Sequence, residues 1–325
     1  MLPIVLFLLL LTVIAHFLPG WTRPDTFFAV TIDPAFRRSI SARRFLRLYR
    51  TILWTATVAG IVLLLSTGFL EMALLQVGGF LVALTLVHHR VLTYGAPPAA
   101  TVEVDLRAPS EKLPGGSVVA FLPLVSSAIL ALWASLHWNQ LPQRIPVHIG
   151  LNGADRWAGH TTVGVYGFIA TQAELSMILV LWAWGVLHWS RRLSGEAADA
   201  ARDRQFRRLN VHMLLASAYF LAGAAWIALV QPAASGLAGV GLVLIVVVYF
   251  SRLIRLRRSI PAAGGGDRTP DACWKLGMFY FNPGDPSVFV AYRFGIGYTL
   301  NFGNRWTWAI LGLVLIATLT RSLLR

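Results

Sequence analysis

The segment Leu141 to His160, LPQRIPVHIGLNGADRWAGH, carries the chain's densest set of groups able to do chemistry. It holds two imidazoles (His148, His160), one carboxylate (Asp155) and two guanidiniums (Arg144, Arg156). Histidine and carboxylate suit zinc and similar ions. The same groups can relay a proton or recognise a peptide. No His-Glu-x-x-His or Cys-x-x-Cys spacing accompanies them. A structural role competes with all three: His148 and Asp155 would then bond the segment's own backbone and hold it on a membrane surface. Pro142 and Pro146 stop helices while Gly150 and Gly153 permit turns, so an ordered loop is expected.

Two further sets stand out. Gln172 and Glu174 lie inside an apolar run, where a carboxylate costs several kcal/mol unless paired, protonated or hydrated. They read either as a proton or ion site or as a protonated bond to a neighbouring helix. Near the C-terminus, Trp274, Lys275, Asn282, Asp285, Arg293 and Asn301 are polar or aromatic groups in a short, strand-like stretch. Lys275, Arg293 and Asn301 can bind an anion or a partner protein, with ladder- or turn-supporting roles as the alternative. Asp285, in NPGDP, reads as a turn residue. No nucleophile with a base, no phosphate-binding Gly-Lys loop and no paired-carboxylate motif is visible, so the expectation is no cofactor and no catalytic set.

The elements that must position these groups are set by hydropathy. Of 325 residues, 56% are hydrophobic and 13% charged, far from the roughly 25% charged residues of soluble domains. Apolar runs of bilayer length, roughly 20 residues, recur along the chain. The fold class expected is an all-α polytopic membrane protein of about eight transmembrane helices, with a small cytoplasmic β-meander between the last two. The expected spans are 2–18, 51–67, 70–88, 117–138, 162–189, 209–230, 236–253 and 307–323. Residues 1–116 form a three-span region, 117–189 a helix-loop-helix around the outer loop 141–161, and 190–258 a two-span region. A linker, 259–271, leads to a β domain at 272–305 and a last helix at 306–325.

The net charge of +14 points to orientation rather than to nucleic acid. Lysine and arginine collect on cytoplasmic segments of membrane proteins. In this arrangement only Arg144, Arg156, Arg321 and Arg325 lie outside, and the other 24 of 28 basic residues face the cytoplasm. Both termini are then extracytoplasmic. Seven arginines between Trp21 and Arg50 can meet anionic lipid headgroups, and Asp33 or Ser39 can cap the helix there. His16, His88, His89, His188 and His212 fall near the inner boundary and are read as anchors or caps. The lone cysteine, Cys273, is read as an inert thiol. Strand-like runs at 27–32, 101–107 and 278–302 are expected to join in one cytoplasmic sheet, since isolated two-strand hairpins are marginal in water.

Two resemblances follow from these motifs. The loop reads L-P-x-x-I-P-x-H-x-x-x-x-G-x-x-D through Leu141, Pro142, Ile145, Pro146, His148, Gly153 and Asp155. It resembles an uncharacterised bacterial membrane domain shared with Sdp-type toxin-immunity proteins. The second motif comprises Trp274, Lys275, Gly277, Tyr280, Asn282, Pro283, Asp285, Pro286, Val290, Arg293, Gly295, Gly297, Thr299, Asn301 and Phe302. It resembles a short uncharacterised domain reading W-K-x-G, Y-x-N-P-x-D-P and R-x-G-I-G-x-T-x-N-F. Together the resemblances imply a bacterial inner-membrane protein without naming a reaction. The leading expectation is sensing or immunity-like signalling through the outer loop, with an extracytoplasmic peptide or a cytoplasmic protein as partner. Proton- or ion-coupled transport through Glu174, and a metalloenzyme using His148, Asp155 and His160, are the alternatives.

Overall fold

Apolar runs this long satisfy their backbone groups only as helices inside a bilayer, and helices dominate the chain. A computed structural model describes residues 2–97, 111–150, 153–191, 197–234, 236–259 and 269–323. The helices are α1 (Leu2–Phe17), α2 (Ile40–Thr67), α3 (Leu74–Val91), α4 (Gly116–Leu136), α5 (Thr162–Trp189), α6 (Ala197–Val230), α7 (Gly236–Ser259) and α8 (Arg305–Leu323). Among the described residues, seven helical stretches are long and apolar enough to cross a membrane. The eighth expected span is α8, of which Arg305–Ile316 is an apolar helix of less than span length among the described residues.

Several helices run past the boundaries that charge suggested. Residues 40–50 of the basic segment are the first turns of α2, which runs on without a break into the expected span. Ser39 Oγ caps that helix by accepting from Ala42 N at 3.0 Å, and Asp33 caps the preceding 3-10 turn through Ala35 N at 2.8 Å. Residues 197–208, expected as a charged loop, are the first turns of α6. AADAARDRQFRR contains no proline or glycine and is rich in good helix formers, so nothing stops the helix.

The chain divides into two compact units. Unit 1 comprises 1–108, 189–203 and 260–325; unit 2 comprises 109–188 and 204–259. In unit 1, α2 and α3 pack closely through small residues. A Cβ on Gly79 would lie 2.1 Å from Ala56 Cβ. The α1–α3 bundle is laced by a buried polar clasp. Gln76 Nε2 donates to Leu8 O (2.7 Å) and Thr12 Oγ1 (2.6 Å), and Thr12 Oγ1 bonds Thr57 Oγ1 (2.9 Å). Bonds of this kind hold membrane helices together where lipid removes the hydrophobic drive. Unit 2 is tied around α6: Tyr219 bonds Val119 O, Trp226 bonds Ser126 and Ser176 bonds Ala218 O.

Among the described residues, eight short strands form four antiparallel pairs. They are β1 (Thr26–Phe27) with β2 (Val30–Thr31), β3 (Arg144–Gly150) with β4 (Gly153–Gly159), β5 (Trp274–Lys275) with β6 (Phe279–Tyr280), and β7 (Phe289–Ala291) with β8 (Tyr298–Leu300). This corrects three expectations. The segment 27–32 is not one strand but most of a tight hairpin. The 141–160 loop is a β-hairpin of seven-residue strands. The C-terminal region is not a meander around NPGDP, because β6 pairs back to β5 while β7 pairs forward to β8. Pro283 and Pro286 bring no N–H to a ladder, so the turn between them cannot zip the flanking strands. A parallel bridge, Tyr280 with Asn301, links the two pairs. The single sheet expected from three runs is replaced by separate pairs whose side chains interlock. The run 101–107 lies outside the described residues.

Candidate functional site

The C-terminal motif builds a saturated polar core in unit 1. Asn301 has no solvent exposure. Its Nδ2 donates to the carbonyls of Asn282 (2.9 Å), Asp285 (3.0 Å) and Ser287 (3.2 Å). Its Oδ1 accepts from Asn282 N and Gly303 N, both at 3.0 Å. One amide thereby braces the NPGDP loop at its carbonyls, and Asn304 Nδ2 adds a bond to Pro286 O at 2.8 Å. Asp285 is more than a turn residue. Its Oδ1 accepts from Ser287 N, while Oδ2 takes the Tyr280 hydroxyl (3.0 Å) and the Arg191 guanidinium (Nε at 3.0 Å). Arg191 also donates to Tyr280 Oη and lies over its ring, 4.9 Å from the centroid. Backbone bonds seat the same segment, with Arg191 N on Phe289 O and Val288 N on Trp189 O.

Arg293 forms a second node. It pairs with Asp271 Oδ1, donates to Thr269 O and Ala29 O, and stacks over Trp274 at 5.4 Å. Asp271 Oδ1 in turn accepts from Thr31 N (3.0 Å) and Thr31 Oγ1 (2.9 Å). The β1–β2 hairpin is thus fixed to the C-terminal strands by side chains rather than by a ladder. Phe28 stacks on Phe294, with centroids 5.0 Å apart.

The turn of that hairpin is strained. Phe28 (φ 47°) and Ala29 (φ 65°) both sit in the left-handed region, and so does Leu276 (φ 54°) before Gly277 (φ 74°). Hairpin turns of this hand favour Asn-Gly, and non-glycine residues there cost roughly 1–2 kcal/mol each. His88, buried in α3, holds the first turn by donating Nδ1–H to Phe28 O at 2.8 Å. It also packs against the second, since a Cβ on Gly277 would lie 3.2 Å from its ring. Gly277→Ala is therefore expected to destabilise unit 1 by about 1–2 kcal/mol from backbone strain alone, read as a lowered thermal unfolding midpoint in detergent. At the other end of the hairpin, Arg37 donates to Pro19 O, Pro24 O, Arg23 O and Thr26 O. Burial pulls its pKa down to about 10, against the opposing pull of Asp25, which leaves it charged at neutral pH.

The β3–β4 hairpin is the opposite case, anchored below and open above. Leu141 and Ile145 are buried with Leu130, Val165 and Leu229 from α4, α5 and α6. His148 pairs in register with Arg156, and Pro146 with Trp157. His148, Arg156 and Trp157 are exposed, Trp157 at 48%. Asp155 belongs to β4, and its side chain lies outside the described residues. His160 follows β4, 4.7 Å from the Trp138 ring, with Nε2 buried and without a hydrogen-bond partner. His148 lies several residues further along the hairpin, so the structure does not bring the two imidazoles together. Among the described residues, no three His, Cys, Asp or Glu side chains converge as a metal ion requires.

Of the intramembrane pair, Glu174 is half-buried on α5, and Gln172 Oε1 is buried with no hydrogen-bond partner. Lys275 is exposed at the end of β5, and Trp274 is buried beneath Arg293. Arg191, Asp271 and His88 were not singled out as functional from sequence. Phe28, Thr31 and Asp285, which bond His88, Asp271 and Arg191, lie 60 to 240 residues from them, and no local spacing announces such pairs.

Residues 283–308 match the model of a family of unknown function, DUF5808. The match includes Asp285, Arg293 and Asn301, and it supports the short C-terminal domain read from sequence. No curated protein and no solved structure matches the chain.

Proposed function

We propose that this is a non-enzymatic multi-pass protein of the bacterial inner membrane that binds an extracytoplasmic peptide on the β3–β4 hairpin and has an immunity-like or signalling output. The observation that carries the reading is the hairpin itself, whose base is buried while His148, Arg156 and Trp157 stay exposed. Tryptophan and arginine are the residue types enriched in protein-binding hot spots, and the hairpin presents one of each to its surroundings. The resemblance of its motif to Sdp-type immunity proteins supports the same assignment. The charge distribution supports an extracytoplasmic hairpin, with both termini on that side and the basic segments against anionic lipid.

The physical route is a population shift: a peptide that favours one helix packing over another changes what the C-terminal β unit presents to a cytoplasmic partner. Helix α5 begins just after the hairpin and runs 28 residues, roughly 42 Å at 1.5 Å per residue. The test has two arms. A cysteine replacing Trp157, in a Cys273→Ser background, should react with a membrane-impermeant maleimide in intact cells. Expression of the native chain should protect cells against an externally added membrane-active peptide toxin. Arg156→Ala/Trp157→Ala should lose that protection at unchanged abundance. Labelling only after permeabilisation, or protection indifferent to the double substitution, defeats the proposal.

A further inference from the structure

Unit 2 carries a cleft of about 510 Å3 between α6 and α7, within the range of roughly 300–1,000 Å3 typical of small-ligand sites. Its two ends differ in chemistry. At one end stand Arg208 and His212 of α6 and Arg252 of α7; the walls beyond them are Met213, Leu244 and Val248. Tyr249 Oη donates to Asn210 Oδ1 at 2.9 Å, which sets these mid-helix residues side by side, with Arg208 two residues before Asn210 and Arg252 three residues after Tyr249. The cations therefore share one end of the groove. Glu111 bonds both Arg208 Nε (2.9 Å) and the buried Arg207 (3.2 Å). One carboxylate faces two guanidiniums, so with Arg252 the rim keeps an excess of positive charge. Leu244 and Val248 are 57% and 51% exposed. Both lie on a helix long and apolar enough to cross a bilayer, where hydrocarbon rather than water would cover them.

We propose that this groove binds one anionic phospholipid, its phosphate held at Arg208, His212 and Arg252 and one acyl chain laid along Met213, Leu244 and Val248. A cationic rim above apolar walls complements an anionic head on a hydrocarbon tail. Water would wet the walls poorly, and a zwitterionic head gains less from the rim. Arginine suits the head because its planar fork meets phosphate oxygens in pairs.

The test uses the full chain in phosphatidylcholine vesicles doped with phosphatidylglycerol carrying a photoreactive diazirine on its acyl chain. Adducts are mapped by peptide mass spectrometry. They should concentrate at Met213, Leu244 and Val248. Each interfacial cation strengthens anionic-lipid binding roughly fivefold, so Arg208→Gln/Arg252→Gln should cut the yield about twenty-five-fold. Ala216 lines the cleft and is exposed; Ala216→Phe fills the apolar end and should block labelling while the fold and the rim charges persist. Inorganic phosphate at millimolar concentration should not compete. Equal labelling by the phosphatidylcholine analogue, labelling no stronger than at the lipid-facing Val240 and Val243, or displacement by phosphate alone would overturn the proposal. So would adducts replaced by cross-links between two copies of the chain.

Discussion

Asn301→Ala is expected to unfold the C-terminal part of unit 1 while leaving the apolar helices in place. The side chain is fully buried and meets five backbone groups, three carbonyls and two N–H groups. Alanine leaves all five without that partner in a site with little access to water. A buried polar group left unmade costs about 1–3 kcal/mol. Even with relaxation, the loss should be on the order of 4 kcal/mol, a large share of the roughly 5–15 kcal/mol that stabilises a typical domain. Asn301→Gln should not rescue, because an extra methylene moves the amide out of register with the loop it braces. The comparator is Asn304, half-buried in the same matched segment, which caps α8 by accepting from Trp306 N at 3.0 Å and donates to Pro286 O at 2.8 Å. Loss of such a cap costs about 1 kcal/mol. Thermal unfolding in detergent, with proteolysis reporting on residues 272–305, should rank Asn301→Ala well below Asn304→Ala. Equal losses would mean that Asn301 is not the keystone of the loop.

The helices of this chain were legible because a bilayer-length apolar run is a signal each helix carries alone. The β elements were not, for reasons that differ from case to case. In 141–160, Ile145, Val147 and Ile149 alternate with Arg144, Pro146 and His148, the spacing of a strand. Pro142 and Pro146 drew the reading towards loop instead, although a proline is tolerated at the edge of a two-stranded ladder. At 27–32, no Asn or Gly marks the turn, since Phe28 and Ala29 adopt a backbone that packing imposes. His88, Tyr49 and Phe294 over-determine that turn, and all three are remote in sequence. Of the C-terminal residues singled out from sequence, Lys275 is exposed and most of the others turn inward. Asn301, Arg293 and Asp285 are buried and bonded to the protein itself, which favours a scaffolding role for the matched motif. On the hairpin, by contrast, His148 and Arg156 remain exposed to solvent. Sequence alone could not separate these two cases, because burial depends on what the rest of the chain brings alongside.

The same logic makes the Arg191–Asp285 pair the second large effect. Both side chains are almost fully buried, at 4% and 6% exposure. Removing one partner of such a pair strands the other charge in a poorly hydrated site and costs roughly 3–5 kcal/mol. Arg191→Met leaves the Asp285 carboxylate with Ser287 N and the Tyr280 hydroxyl as its remaining bonded donors. Asp285→Asn keeps the accepting oxygen for Ser287 N but leaves a guanidinium facing an amide. Each should lower stability by several kcal/mol, whereas Arg191→Met/Asp285→Asn removes both charges and should recover much of either loss. A denaturant-based double-mutant cycle reads the difference as a coupling of about 2 kcal/mol or more, above the 0–1 kcal/mol of exposed pairs. The sign of the coupling also bears on the backbone. Arg191 N bonds Phe289 O, and Val288 N bonds Trp189 O, so the segment following α5 is held to β7 by the main chain as well as by charge. If the charge pair directs that docking, the double variant should keep the segment protected from hydrogen exchange while either single variant exposes it. Additive losses in the cycle, with equal exchange in all three variants, would mean that the backbone alone seats the segment and that Asp285 is a turn residue after all.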